Sequence, residues 1–62
     1  MKHERLSPAR AFVVQFREET PGDAEHFTGR VEHITSGDAA RFESAEELVT
    51  FFARVLGTVE GG

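Results

Sequence analysis

The sequence predicts an α+β domain: a three-stranded antiparallel β-meander followed by one C-terminal α-helix packed on one sheet face. Three observations predict it. Between Ala45 and Leu56, apolar residues recur at helical spacing between a capping signal and a glycine. Upstream, three short runs alternate apolar with polar residues. The connections between them are short, which favours an antiparallel meander.

The helix is the best-marked element. Ser44 stands at an N-cap position, and Glu47 stands where its carboxylate reaches back to the Ser44 N–H, as in a capping box. Glu46 and Glu47 suit the positive end of the helix dipole, Arg54 the negative end. Gly57 is placed to close the helix in the left-handed conformation. At about 100° per residue, Ala45, Leu48, Val49, Phe52, Val55 and Leu56 form one stripe, with Phe51 at its edge.

The strands follow the period-two rule. Residues 11–17 place Phe12, Val14 and Phe16 on one face, and Val13 and Gln15 on the other. Residues 18–25 are acidic, contain Pro21-Gly22 and read as a solvated loop. A second strand spans 26–34, with Phe27, Val31 and His33 on one face. Gly29 within it suggests a bulge or the close approach of a large side chain. Residues 35–38 form a tight turn, and 39–43 a short third strand with Ala40 and Phe42 inward. The expected core is Phe12, Val14, Phe16, Phe27, Val31, Phe42, Leu48, Phe52, Val55 and Leu56. Residues 1–10 are expected to be a flexible segment broken by Pro8, 11–57 a single ββ(β)α domain, and 58–62 a flexible tail.

Bulk properties narrow the function. A 62-residue chain is one domain at most. Domains of this size bury only about 60% of their unfolded surface and often lean on disulfides, metals or oligomerisation. There is no cysteine, which excludes disulfides and thiolate metal sites and is compatible with the cytoplasm. Net charge is −4, against general nucleic-acid binding. No run is long enough to span a membrane, and no apolar core follows Lys2 and Arg5 as in a secretion signal.

Candidate chemistry is sparse. His26 and His33 are the only arguable metal pair; three or four ligands would have to converge, so no metal and no cofactor is expected. His33 is expected to be a partly buried, hydrogen-bonded residue, and the one candidate for a pH-sensitive contact. Arg30, Glu32, Arg41 and Glu43 share the face opposite the helix with Val13 and Gln15. Their alternating signs can pair across strands, and the face reads either as a recognition surface or as a solvated face with surface ion pairs. Ser7, Ser36 and Ser44 have no partnered base, and no catalytic residue is assigned.

Gly29-Arg30-Val31-Glu32-His33-Ile34-Thr35-Ser36-Gly37, followed by Arg41-Phe42-Glu43-Ser44-Ala45-Glu46-Glu47-Leu48, resembles short bacterial proteins of unknown function that carry G-R-V-E-H-x-x-S-G and then F-x-S-x-E-E-L. The resemblance implies a bacterial origin and the strand–helix layout, and brings no catalytic residue or cofactor. The terminal Gly61-Gly62 is similar to the end of ubiquitin-like sulfur carriers, which implies an alternative role as carrier or enzyme accessory. Those carriers differ in placing strands between helix and tail. The leading expectation is a non-catalytic, cytoplasmic protein-interaction module, self-associating as a dimer through the open sheet face or an edge strand, or binding another protein, with no nucleic-acid or membrane partner.

Overall fold

The computed structural model describes residues 5–59. Strands β1 (Phe12–Phe16), β2 (Gly29–His33) and β3 (Ala39–Phe42) form one antiparallel sheet in the order β1-β2-β3, and helix α1 (Ala45–Val59) follows. The expected meander and C-terminal helix are both present. Single 3₁₀ turns at Pro8–Arg10 and Ala24–His26 precede β1 and β2. Pro8 starts a turn rather than preventing one, because its missing N–H has no partner to lose at a first helical position. Ser7 Oγ caps that turn, accepting from the Ala9 N–H at 3.1 Å. Asp23 Oδ1 caps the second, accepting from the Glu25 N–H at 3.1 Å. That second turn takes up His26, so β2 begins at Gly29 and not at residue 26.

The register places Val14 opposite Val31 and Val31 opposite Ala40, with Phe16 opposite Gly29 and Gly29 opposite Phe42. These residues share the face that α1 covers. Val31, Phe42, Phe51 and Val55 are buried at its centre, and Phe12, Val14, Phe27, Ala40, Leu48 and Phe52 pack around them. The aromatic rings meet edge to face: Phe12 lies 4.8 Å from Phe52, and Phe16 lies 5.7 Å from Phe42, centroid to centroid. That geometry suits ring quadrupoles.

Several expectations are corrected. The helix turns Phe51 inward and leaves Val49 60% exposed. The two residues lie on opposite borders of the stripe, and burying the larger ring removes more apolar surface from water. Phe16 is 49% exposed, because β1 is an edge strand and α1 lies nearest β3. Leu56 is only half-buried. The helix continues through Gly57 to Val59, so residues 58 and 59 are helical, and Gly57 does not adopt positive φ. Arg54 is therefore not in the last turn; its guanidinium sits 5.1 Å from the centre of the Phe51 ring.

Ser44 caps α1 as expected, accepting from the Glu47 N–H at 3.2 Å. Glu47 instead accepts from the Glu43 N–H at 2.8 Å, one residue before the capping-box donor. Gly29 marks no bulge, since the ladder runs through it unbroken. Its neighbour is backbone, not a large side chain: a Cβ there would overlap the Gln15 carbonyl oxygen and come within 2.9 Å of Phe16 Cα. The β2–β3 hairpin closes where the His33 N–H donates to the Asp38 carbonyl at 2.8 Å, with Gly37 at φ 81° inside the loop. Only glycine takes that conformation without steric cost.

Candidate functional site

Among the described residues, most of the sheet face away from α1 is exposed, and the register orders its side chains in rows across the strands. Val13, Glu32 and Ala39 form one row; Gln15, Arg30 and Arg41 form the next. Arg17 follows beside Thr28, whose carbonyl accepts the Arg17 N–H at 2.9 Å. The structure therefore brings Val13, Gln15, Arg30, Glu32 and Arg41 together on one face, with Glu43 just beyond the end of β3.

The expected cross-strand ion pairs do not form there. Arg30 is level with Arg41, not with a carboxylate. Arg30 Nη1 instead meets Glu32 Oε1 at 3.3 Å along its own strand, both groups well exposed. The cause is where the hairpin closes. Closure at Ile34 and Ala39 would have set Arg30 against Glu43 and Glu32 against Arg41. Closure at His33 and Asp38 slides the strands and sets like charges level, which disfavours the isolated face. A shallow depression of about 360 Å³ at the Gly29 end is lined by Arg17, Arg30, Arg41 and Glu43 among others. Its wall carries both signs of charge.

The sheet's two edges differ. Arg17 donating to Thr28, and Ile34 to Ala11, show that odd-numbered residues of β1 turn their backbone groups toward β2. By the antiparallel alternation, the N–H and C=O groups of Phe12, Val14 and Phe16 point outward. Among the described residues β1 has β2 as its only sheet neighbour, so no described strand pairs with them. Val13, 45% exposed, and Phe16, 49% exposed, flank this edge on opposite faces. At the other edge, Glu47 already occupies the outward N–H of Glu43, and Arg41 adds a charge. Sequence reasoning named the exposed face residue by residue, and an edge strand without saying which; the hydrogen bonds of Glu43 and the open groups of β1 distinguish the two.

His33 is buried at 3% exposure, with its ring 5.1 Å from Phe12. Its Nε2 lies 2.6 Å from the Ala9 carbonyl oxygen, which can only accept, so Nε2 carries a hydrogen. Nδ1 lies 2.7 Å from Ser36 Oγ, which itself accepts from the Asp38 N–H at 3.1 Å. An uncharged ring satisfies the chain of bonds: Ser36 donates to Nδ1, and Nε2–H donates to Ala9. The ring thus ties the segment before β1 to the β2–β3 turn.

His26 lies apart from His33, exposed in its turn, with Nδ1 2.9 Å from Asp23 Oδ2. Asp23 is held below the usual carboxylate range, first by that hydrogen bond and then by the Glu25 N–H and the charge of His26. Among the described residues, no three His, Cys, Asp or Glu side chains converge as metal ligands. Ser7 caps a turn, Ser44 caps α1, and Ser36 is bonded to His33. Gly61-Gly62 lies outside the described residues.

Comparison with protein families, curated proteins and solved structures finds no match to this chain. Among the described residues, no helix is long and apolar enough to cross a membrane.

Proposed function

We propose that the protein is a small non-catalytic interaction module that self-associates through its sheet. The observation that carries this reading is the β1 edge. Its outward backbone groups have no sheet partner, and exposed Val13 and Phe16 stand on either side of it. Natural edge strands are usually blunted by lysine, proline, a bulge or a covering element, because unpaired N–H and C=O groups invite another strand. β1 contains none of the first three, and its ladder with β2 is regular. Strand addition at such an edge is a common mode of protein recognition. The small core supports the same reading, since a domain of this length gains much from burying further apolar surface.

The resemblance to short bacterial proteins and the absence of cysteine support a bacterial cytoplasmic setting. Size-exclusion chromatography with light scattering tests the central claim. The expected mass rises from 6.9 kDa toward twice that value as concentration reaches the high micromolar range. A mass that stays at the monomer value throughout overturns it.

A further inference from the structure

We infer that two copies of this chain pair antiparallel along β1, in a register that sets Val14 of one opposite Val14 of the other. This rests on the self-association reading and names the interface. Two independent features select the register.

The first is the backbone. The outward groups belong to Phe12, Val14 and Phe16. With Val14 on a two-fold axis, Phe12 stands level with Phe16 of the second copy, and every outward N–H and C=O of β1 meets a partner. A slide of two residues leaves groups unpaired at both ends. A slide of one residue misaligns donors with acceptors and turns the wrong faces together.

The second is the side chains. Phe12-Val13-Val14-Gln15-Phe16 reads almost the same in both directions, differing only at Val13 and Gln15. An antiparallel self-pair therefore places Phe against Phe twice, Val14 against Val14 and Val13 against Gln15. No like charges come level, and aromatic pairs across strands are favourable. Phe16, half exposed in the single domain, gains a cover from Phe12 of the second copy. A foreign strand could supply backbone groups, but the near-palindrome is what selects a second copy of this chain. On the joined sheet each α1 lies mainly toward β3, at the margin away from the seam, and reaches β1 through Phe51 and Phe52 on Phe12. The edge is only five residues long, so the interface falls at the small end of the size range, and association is weak.

The chain has no cysteine, which permits a clean cross-linking test. Val13 and Gln15 of opposite copies form a non-hydrogen-bonded pair, with Cα atoms about 4.5 Å apart, within disulfide reach. Val13 of one copy and Val13 of the other are about 7–8 Å apart, on the diagonal. Val13→Cys and Gln15→Cys variants, oxidised singly and as a mixture, are read on a non-reducing gel. The mixed heterodisulfide should exceed either homodisulfide at least tenfold. Equal yields in all three samples overturn the register. A chain that self-associates by light scattering but gives no cross-link overturns edge pairing while leaving self-association standing; a chain that never associates removes both. Val14→Pro deletes an outward N–H without touching the β1–β2 ladder and should weaken association at least tenfold. Undiminished association of a folded Val14→Pro also refutes the pairing, and if that variant unfolds the cross-link decides.

Discussion

Phe51→Ala tests which side of α1 faces the sheet. Phe51 is 5% exposed, its ring meets Phe12 edge to face at 6.1 Å, and Arg54 lies over it. Truncating a buried Phe to Ala costs about 3–5 kcal/mol in transfer and cavity terms. At roughly 0.05–0.15 kcal/mol per residue, a domain of 62 residues has about 3–9 kcal/mol in total. The substitution therefore removes from about a third of that stability to all of it, and moves the urea midpoint far down or abolishes the folded baseline. Phe52 is only half-buried, so Phe52→Ala should cost less, about 2–3 kcal/mol. Val49→Ala, on the exposed side, should stay within about 0.5 kcal/mol of wild type. There is no Trp or Tyr, so urea unfolding is followed by far-UV circular dichroism. Low protein concentration keeps mass action on a dimer from masking the differences. A Phe51→Ala loss below about 1 kcal/mol, or a Val49→Ala loss exceeding it, would refute the assigned helix face.

Gly29→Ala should destabilise by about 1–3 kcal/mol or more, because the added Cβ meets backbone that cannot rotate away; a neutral result in urea unfolding would contradict the close β1–β2 approach. Ser44→Ala should cost about 0.5–2 kcal/mol through the lost cap on the Glu47 N–H, and Ser44→Asp should restore most of it in the same assay. Asp23→Asn concerns the acid limb. The folded state holds the Asp23 carboxyl below its ordinary value, mainly through His26, so its contribution is present above the unfolded value and lost as pH falls through the folded one. Thermal melts from neutral pH to below about pH 4 should show a shallower decline in the Asn variant, and identical declines would count against the Asp23–His26 contact. His33→Leu should cost about 1–3 kcal/mol by leaving the Ala9 carbonyl without its donor, and trypsin should then cut after Arg10 faster than in wild type; unchanged cleavage would show that His33 does not hold that segment.

The strand–helix layout was legible because its signals are local. Alternation in the strands, the Ser44 cap and the apolar spacing of α1 each act within a few residues. What was not legible depends on distance or on competition between similar residues. Val49 and Phe51 are both apolar, and only packing against Phe12 and within the buried cluster settles which enters the core. His33 was readable as an inward residue from the period of β2, whereas its partner at Ala9, 24 residues away, belongs to a segment with no pattern of its own. The Arg30–Arg41 juxtaposition turns on where one hairpin closes, which the turn-forming residues 35–38 do not determine. The candidate interface was legible in part, since the meander and an edge-strand dimer were both expected, but not which edge. Phe12, Val14 and Phe16 would be unremarkable in a central strand, where their backbone groups would be paired on both sides. The order β1-β2-β3 alone leaves those groups open. A near-palindrome in a central strand has no consequence, but at an open edge it makes the strand complementary to itself, and that combination of topology with sequence carries the functional proposal.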